Sequence, residues 1–159
     1  MGLEIERKFI VTSDNYKNEK VIDKIDITQG YVTLDREKVI RIRIADDQAF
    51  LTLKGMATKI TRHEFEYSVP VDEALEMLKL FCYQPIIKKI RYLIQHNHHL
   101  WEIDEFHNQN SGLVIAEIEL DSEDESFYKP KFIGKEVTSD LRYYNFNLVR
   151  NPYQDWKEK

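Results

Sequence analysis

Polar and apolar residues alternate with a period of two along most of the chain, the signature of strands with one apolar and one polar face. The first such run is Leu3 to Thr12, with Ile5, Arg7, Phe9 and Val11 on one face and Glu4, Glu6 and Lys8 on the other. Further runs cover 26–34, 39–44, 49–54, 61–69, 86–96, 100–106 and 113–121, and a last short strand is predicted over 136–138. Helical signals are few. Ser13 is placed to cap a short helix over 14–19, and Pro70 and Asp72 open a clear one over 73–81, with Ala74, Leu75, Met77, Leu78 and Phe81 at helical spacing. Ser122 is expected to cap a short acidic helix ending before Pro130, and Ser139 or Asp140 a C-terminal helix running through Tyr143, Tyr144 and Leu148. Many strands joined by short turns predict a mainly β (α+β) fold, an antiparallel barrel or strongly curved sheet with peripheral helices. Gly and Pro mark turns rather than linkers, so residues 1–159 are expected to form a single domain.

The polar faces are unusual in being charged rather than mixed. They read Glu-x-Glu-x-Lys, Arg-x-Arg, Thr-x-Lys, Arg-x-Glu-x-Glu, Lys-x-Arg, Glu-x-Asp and Glu-x-Glu. Residues two apart share one side of a sheet, so each strand presents a charged pair or triplet to one surface. A charged run on a single strand is ordinarily a solvated face. Here the opposite face carries Phe9, Ile40, Ile42, Leu51, Leu53, Phe65, Tyr67, Tyr92 and Trp101, which are bulky for a small barrel interior. Placing that face outside, under the helices, turns the charges inward, where burial requires pairing or a ligand. Charged residues are 32% of the 159, against about 25% in typical soluble domains, an excess that fits either a heavily charged surface or charge placed inside.

The inward basic set would be Lys8, Arg41, Arg43, Lys54, Arg62, Lys89 and Arg91, suited to several phosphates because Arg offers a planar fork to their oxygens. Lys89 rather than Lys88 is chosen because it shares parity with Arg91, and Arg62 lies at a strand edge. The acidic set is Glu4, Glu6, Glu64, Glu66, Asp104, Glu117 and Glu119. Carboxylates without Cys or convergent His favour hard cations, Mg²⁺ or Mn²⁺. Cations beside metal-binding carboxylates are the usual parts of a phosphoryl-transfer site.

These motifs, in order, resemble the CYTH domain, or triphosphate tunnel metalloenzyme, family. The resemblance runs from Glu4-Ile5-Glu6-Arg7-Lys8 through Gln29-Gly30-Tyr31, Arg41-Ile42-Arg43, Thr52-Leu53-Lys54, Arg62-His63-Glu64-Phe65-Glu66, Lys89-Ile90-Arg91, Trp101-Glu102-Ile103-Asp104 and Ala116-Glu117-Ile118-Glu119. Gly134-Lys135-Glu136-Val137-Thr138 with Tyr143-Tyr144-Asn145 is similar to the end of the short bacterial members. It implies an eight-stranded antiparallel closed β-barrel, the triphosphate tunnel, with the basic set on phosphates and the acidic set on Mg²⁺ or Mn²⁺. It implies hydrolysis of inorganic tripolyphosphate or a nucleoside triphosphate; adenylate cyclase, thiamine triphosphatase and a non-enzymatic triphosphate or polyphosphate sensor are the alternatives. Lys54 and Tyr31 are the catalytic candidates, Tyr31 as a residue that orients or activates water among cations, or equally as a hydrogen-bonding wall residue.

The remaining features bound the setting. A net charge of −5 gives no global field for nucleic acid, which is not expected as a partner. One cysteine, Cys82, excludes an intrachain disulfide; with no signal-peptide pattern and no apolar run of membrane length, a cytoplasmic protein without membrane contact is expected. Cys82 is expected to be packed, and His96, His98 and His99 to be exposed turn residues. Phe146, Leu148, Tyr153 and Trp156 are expected to pack against the barrel or against a second copy in a homodimer.

Overall fold

The computed structural model describes residues 2–157. Nine strands, β1 (Gly2–Val11), β2 (Val21–Tyr31), β3 (Val39–Ala45), β4 (Gln48–Met56), β5 (Thr61–Val69), β6 (Ile87–His96), β7 (His99–Phe106), β8 (Val114–Leu120) and β9 (Ile133–Glu136), are accompanied by two α-helices, α1 (Val71–Leu80) and α2 (Asn145–Arg150). The pairing order is β5-β4-β3-β2-β6-β7-β8-β1, all antiparallel, and β1 pairs back onto β5, so eight strands close a barrel. The seam is short. Residues 2–5 of β1 pair with β5, and beyond that Phe9 and Val11 take β9 as their neighbour on the same side. Tight β3–β4 and β6–β7 turns place Asp46 and Asn97 at φ 53° and 54°. Asp and Asn tolerate this left-handed region because their short side chains bond locally.

The alternation has the physical outcome that the charge argument required. Outer-face residues Phe9, Trp101, Ile103, Ala116 and Ile118 are buried with Tyr16, Tyr92 and Phe132, under the 3-10 turn Asp14–Asn18 and the segment 122–132. On the other side α1 lays Ala74 and Leu78 on Ile42, Ala49 and Cys82. Gly30 permits that seating: a Cβ there would lie 2.8 Å from Ile86 Cδ1 and 2.9 Å from both Cys82 Cβ and Leu78 Cδ2. The cover is incomplete, however. Leu53, Phe65 and Tyr67 on β4 and β5 stay exposed, because the two helices lie elsewhere on the barrel.

Inward parity is charged along only part of the bore. Two residues beyond Arg41, Lys89, Asp104 and Glu117 come Val39, Ile87, Phe106 and Ile115, all buried. These form a cluster with Tyr31, Leu113, Val137, Tyr143, Tyr144, Phe146, Leu148, Val149 and Trp156. One end of the barrel is therefore an apolar core closed by residues 137–156, and the charged part of the bore ends against it.

Four expectations are corrected by local physics. β2 begins at Val21, not Asp26, because its first residues pair with the far end of β6 even though they show no alternation. The acidic helix after Ser122 does not form: the Glu125 carboxylate accepts from the Asp121 N–H at 2.6 Å and lies 2.5 Å from His99 Nε2, holding the chain in a turn. The last strand is Ile133–Glu136 rather than 136–138. The C-terminal helix is split, a 3-10 turn Leu141–Tyr143 capped by Asp140 being separated from α2 by extended Tyr144 (ψ 134°). His99 is thus half-buried and paired, while His98 is the exposed turn residue. Cys82 is packed, its thiol pushed up to about 11 by burial. Phe146, Leu148 and Trp156 pack within the chain. Among the described residues no helix is long and apolar enough to cross a membrane.

Candidate active site

The charged part of the bore encloses a cavity of about 200 Å³. Its wall carries seven carboxylates, Glu4, Glu6, Glu64, Glu66, Glu102, Glu117 and Glu119, and seven cations, Lys8, Arg41, Arg43, Lys54, Arg62, Lys89 and Arg91. Gln29, Tyr31, Tyr144, Asn145 and Phe146 line it as well. Strand register brings these together: Lys8 lies opposite Glu117, Glu6 opposite Glu119, Lys54 opposite Glu64, Tyr31 opposite Arg41 and Glu102 opposite Glu117.

Some charges already have partners. Lys54 Nζ sits 3.0 Å from Glu4 Oε1 and 3.0 Å from Glu64 Oε2, and Lys8 Nζ 3.4 Å from Glu117 Oε2. Arg41 reaches Thr52 Oγ1 at 3.2 Å and Glu66 at 3.3 Å. Arg91 forks onto Asp104 at 2.7 and 2.9 Å and meets Glu102 at 2.8 Å. Lys89 Nζ is 2.7 Å from the same Asp104. Asp104 is fully buried and outside the cavity wall, with both oxygens occupied by cations, and the wall carboxylate of β7 is instead Glu102. Burial would raise the Asp104 carboxyl, but Arg91 and Lys89 overcome this and hold it at about 2. Burial and the neighbouring Arg91 and Arg43 cations in turn push Lys89 down to about 7, against the pull of Asp104.

Other charges are uncompensated. Among the described residues Arg43 and Arg62 have no carboxylate within ion-pair distance. Arg43 donates through Nε to Gln29 at 2.8 Å, and burial together with Arg41 and Arg91 pushes it down to about 10. Arg62 lies over the Tyr144 ring at 4.8 Å. Buried Arg41 Nε has no hydrogen-bond partner. A buried guanidinium N–H without an acceptor is costly, so Arg41 Nε calls for one, while Arg43 and Arg62 present guanidinium groups to the cavity with no carboxylate paired to them. On the acidic side Glu6 and Glu119 have no cation within ion-pair distance. Burial, then the adjoining Glu117 and Glu4 charges, raise Glu6 well above the usual carboxylate range; burial with Glu4, Glu102 and Glu64 raises Glu119.

No group of three His, Cys, Asp or Glu side chains among the described residues is already gathered to hold an ion. The acidic residues are spread along the bore, and mutually repelling carboxylate oxygens such as those of Glu6 and Glu119 are the donor type a hard cation takes. Tyr31 Oη accepts from Gln29 Nε2 at 2.8 Å, within the wall. Glu102, Tyr144 and Asn145 belong to this wall although sequence reasoning assigned them no role. The parity of Glu102 with Asp104 was visible, but Tyr144 and Asn145 arrive only by docking of residues 137–156.

A closed barrel whose bore pairs uncompensated guanidinium groups with uncompensated carboxylates belongs to the class of polyanion-binding, cation-assisted tunnels. The CYTH domain family matches residues 2–153, and this chain belongs to that family. It is 50% identical over 158 residues to an inorganic triphosphatase of Acetivibrio thermocellus, covering 99% of this chain and 100% of that protein. It is 33% identical over 150 residues to an inorganic triphosphatase of Nitrosomonas europaea, covering 92% and 96%. A solved structure of an inorganic triphosphatase superposes with a TM-score of 0.65 at 32% identity, over 92% of this chain and 93% of the other.

Proposed function

We propose that this protein hydrolyses inorganic tripolyphosphate with the help of Mg²⁺ or Mn²⁺. The observation that carries the reading is the coexistence, in one cavity, of cationic groups lacking an anion and carboxylates lacking a cation. Seven cations against seven carboxylates leave the wall with no net formal charge, so it does not neutralise a triphosphate by itself. A divalent cation held by carboxylates of the wall would supply the missing positive charge and polarise water. Glu6 and Glu119, with Glu4 beside them, would hold it. Arg41, Arg43 and Arg62 bind phosphate oxygens, and their fixed guanidinium groups stabilise charge on the phosphoryl group in transfer. Lys8 and Lys54, paired with Glu117 and with Glu4 and Glu64, line the same cavity and add to that stabilisation. Tyr31, with its oxygen engaged by Gln29, offers its hydroxyl proton to a phosphate oxygen or to the water. Asp104 acts as the anchor of Lys89 and Arg91 rather than as a metal ligand.

Inorganic tripolyphosphate is favoured over a nucleotide because the inner end of the cavity is closed and its aromatic residues are packed into the end core, so no free ring face awaits a base. The two relatives reported above are inorganic triphosphatases, which supports the same reading. The work is assigned to the cytoplasm, consistent with a single buried thiol. The test is orthophosphate release from tripolyphosphate, ATP and thiamine triphosphate, each with and without Mg²⁺ or Mn²⁺. Metal-dependent release fastest from tripolyphosphate is expected. Cyclic AMP and pyrophosphate from ATP, or saturable binding with no product, would overturn the reading.

A further inference from the structure

Two consecutive residues of the C-terminal segment enter a cavity otherwise built by strands. Tyr144 lays its ring 5.0 Å from Lys8 Nζ and 4.8 Å from Arg62 Cζ. Asn145 lies deeper in the hydrogen-bond network. Its Oδ1 accepts from Lys89 Nζ at 2.9 Å and from Gln29 Nε2 at 3.0 Å. A Lys89 ammonium donates to an oxygen, which puts the Asn145 amide oxygen toward it, and the Gln29 orientation set by Arg43 requires the same. The same logic fixes Gln29. Arg43 can only donate, so Gln29 Oε1 faces Arg43 Nε at 2.8 Å and its Nε2 faces Asn145 and Tyr31. Both amides thus have one orientation, and one atom, Asn145 Oδ1, sets the positions of Lys89 directly and of Arg43 and Tyr31 through Gln29.

The other end of the Asn145 amide is not used. Asn145 lines the cavity, and its Nδ2 donates to no protein group among the described residues. The residue is held firmly from behind: Tyr144 Oη donates to Thr138 O at 2.8 Å, Asn147 Nδ2 to Leu141 O at 2.7 Å, and the flanking Phe146 and Leu148 are buried. A rigidly placed donor pair aimed into a phosphate-binding cavity has one chemical use there, an oxygen acceptor on the ligand.

We propose that Asn145 is a substrate-binding and positioning residue: Nδ2 donates to an oxygen of the phosphate group seated at the closed end, while Oδ1 fixes Lys89 and Gln29 around it. This rests on the triphosphatase reading and adds to it a residue outside the strand motifs. It makes the C-terminal segment a working part of the cavity wall rather than a cover.

Two substitutions separate the two ends of the amide. Asn145→Asp keeps an oxygen for Lys89 and Gln29 but loses the donor and turns a negative charge toward phosphate. Tripolyphosphate KM is expected to rise about tenfold to a hundredfold, the range for a hydrogen bond to a charged group, with kcat changed less. Asn145→Ala removes both ends, so kcat is expected to fall together with the rise in KM. Melting temperatures are recorded alongside; an acidic residue at the start of a helix is well tolerated, so the Asp variant gives a folded protein. Wild-type KM in a folded Asn145→Asp enzyme, or losses in either variant that follow only the unfolded fraction, overturns the proposal. If the unaltered protein hydrolyses no tripolyphosphate, the triphosphatase reading fails instead. Calorimetric binding of tripolyphosphate then decides the role of Asn145 on its own: weaker binding by the Asp variant supports it, and equal binding refutes it.

Discussion

Replacing Asp104 by Asn removes one negative charge from a fully buried site, takes from Lys89 its carboxylate at 2.7 Å and leaves Arg91 with Glu102 and Glu117 alone. Breaking a buried pair by deleting one partner typically costs about 3–5 kcal/mol, because the remaining charge stays desolvated. Retained amide hydrogen bonds place Asp104→Asn near the lower end, about 3 kcal/mol. For a domain of this size each kcal/mol moves Tm by about 2–4 °C, so a fall of roughly 6–12 °C is expected. The pH dependence gives an independent check. The carboxyl is held at about 2 in the folded protein, below its unfolded value of about 3.9. Its contribution is therefore present above the unfolded value and is lost as pH falls toward the folded one, and the gap between wild type and variant should narrow between about pH 4 and pH 2. Calorimetric melting in EDTA is the assay, since it isolates the anchor from any metal effect. If Asp104 were a metal ligand, the metal-free proteins would melt alike and only the response to Mg²⁺ would differ. A difference below about 2 °C in EDTA would refute the anchor argument.

Glu6→Gln or Glu119→Gln removes a carboxylate that has no cation opposite it, so the metal-free protein should melt no lower than wild type while metal-dependent turnover drops at least a hundredfold; a turnover assay and a melt on the same samples check both halves. Glu6 and Glu119 are raised, so protons compete with the cation: Mn²⁺ affinity by calorimetry should weaken as pH falls, and affinity that does not change with pH would count against their role. Arg43→Ala should raise tripolyphosphate KM about tenfold or more with little change in Tm, because the guanidinium has no carboxylate to abandon. Gly30→Ala should lower the urea midpoint by an amount equivalent to about 1–3 kcal/mol, since three side-chain atoms already lie within 2.9 Å of the new methyl, while kcat of the folded enzyme stays near wild type.

The inward face was legible in the sequence because period-two alternation is a local signal, and Glu4, Glu6, Lys8, Arg41, Arg43, Glu117 and Glu119 do face one cavity. Depth along the bore was not legible. Glu102 and Asp104 share parity, yet one reaches the cavity wall and the other is sealed between Lys89 and Arg91. The difference depends on where the apolar end core begins, which is set by packing of residues distant in sequence. For the same reason Val39, Ile87, Phe106 and Ile115 did not announce that inward parity turns apolar. Tyr144 and Asn145 stand in the Tyr143-Tyr144-Asn145 motif but on no strand face, and only tertiary docking brings them to Lys8, Arg62 and Lys89. The helix expected after Ser122 failed because side-chain bonds from Glu125 offered its backbone a competing turn.

The short seam at β1 has a consequence for how the protein comes to exist. β1 pairs with β5, with β8 and with β9, so its hydrogen bonds are satisfied only once strands far along the sequence have joined it. Contacts of such separation form late, after their loop-closure cost is met. The cavity draws Glu4, Glu6 and Lys8 from β1 and Tyr144 and Asn145 from the segment that follows β9. A chain broken between these segments therefore lacks part of the cavity wall, and the wall is whole only where the two distant segments have met.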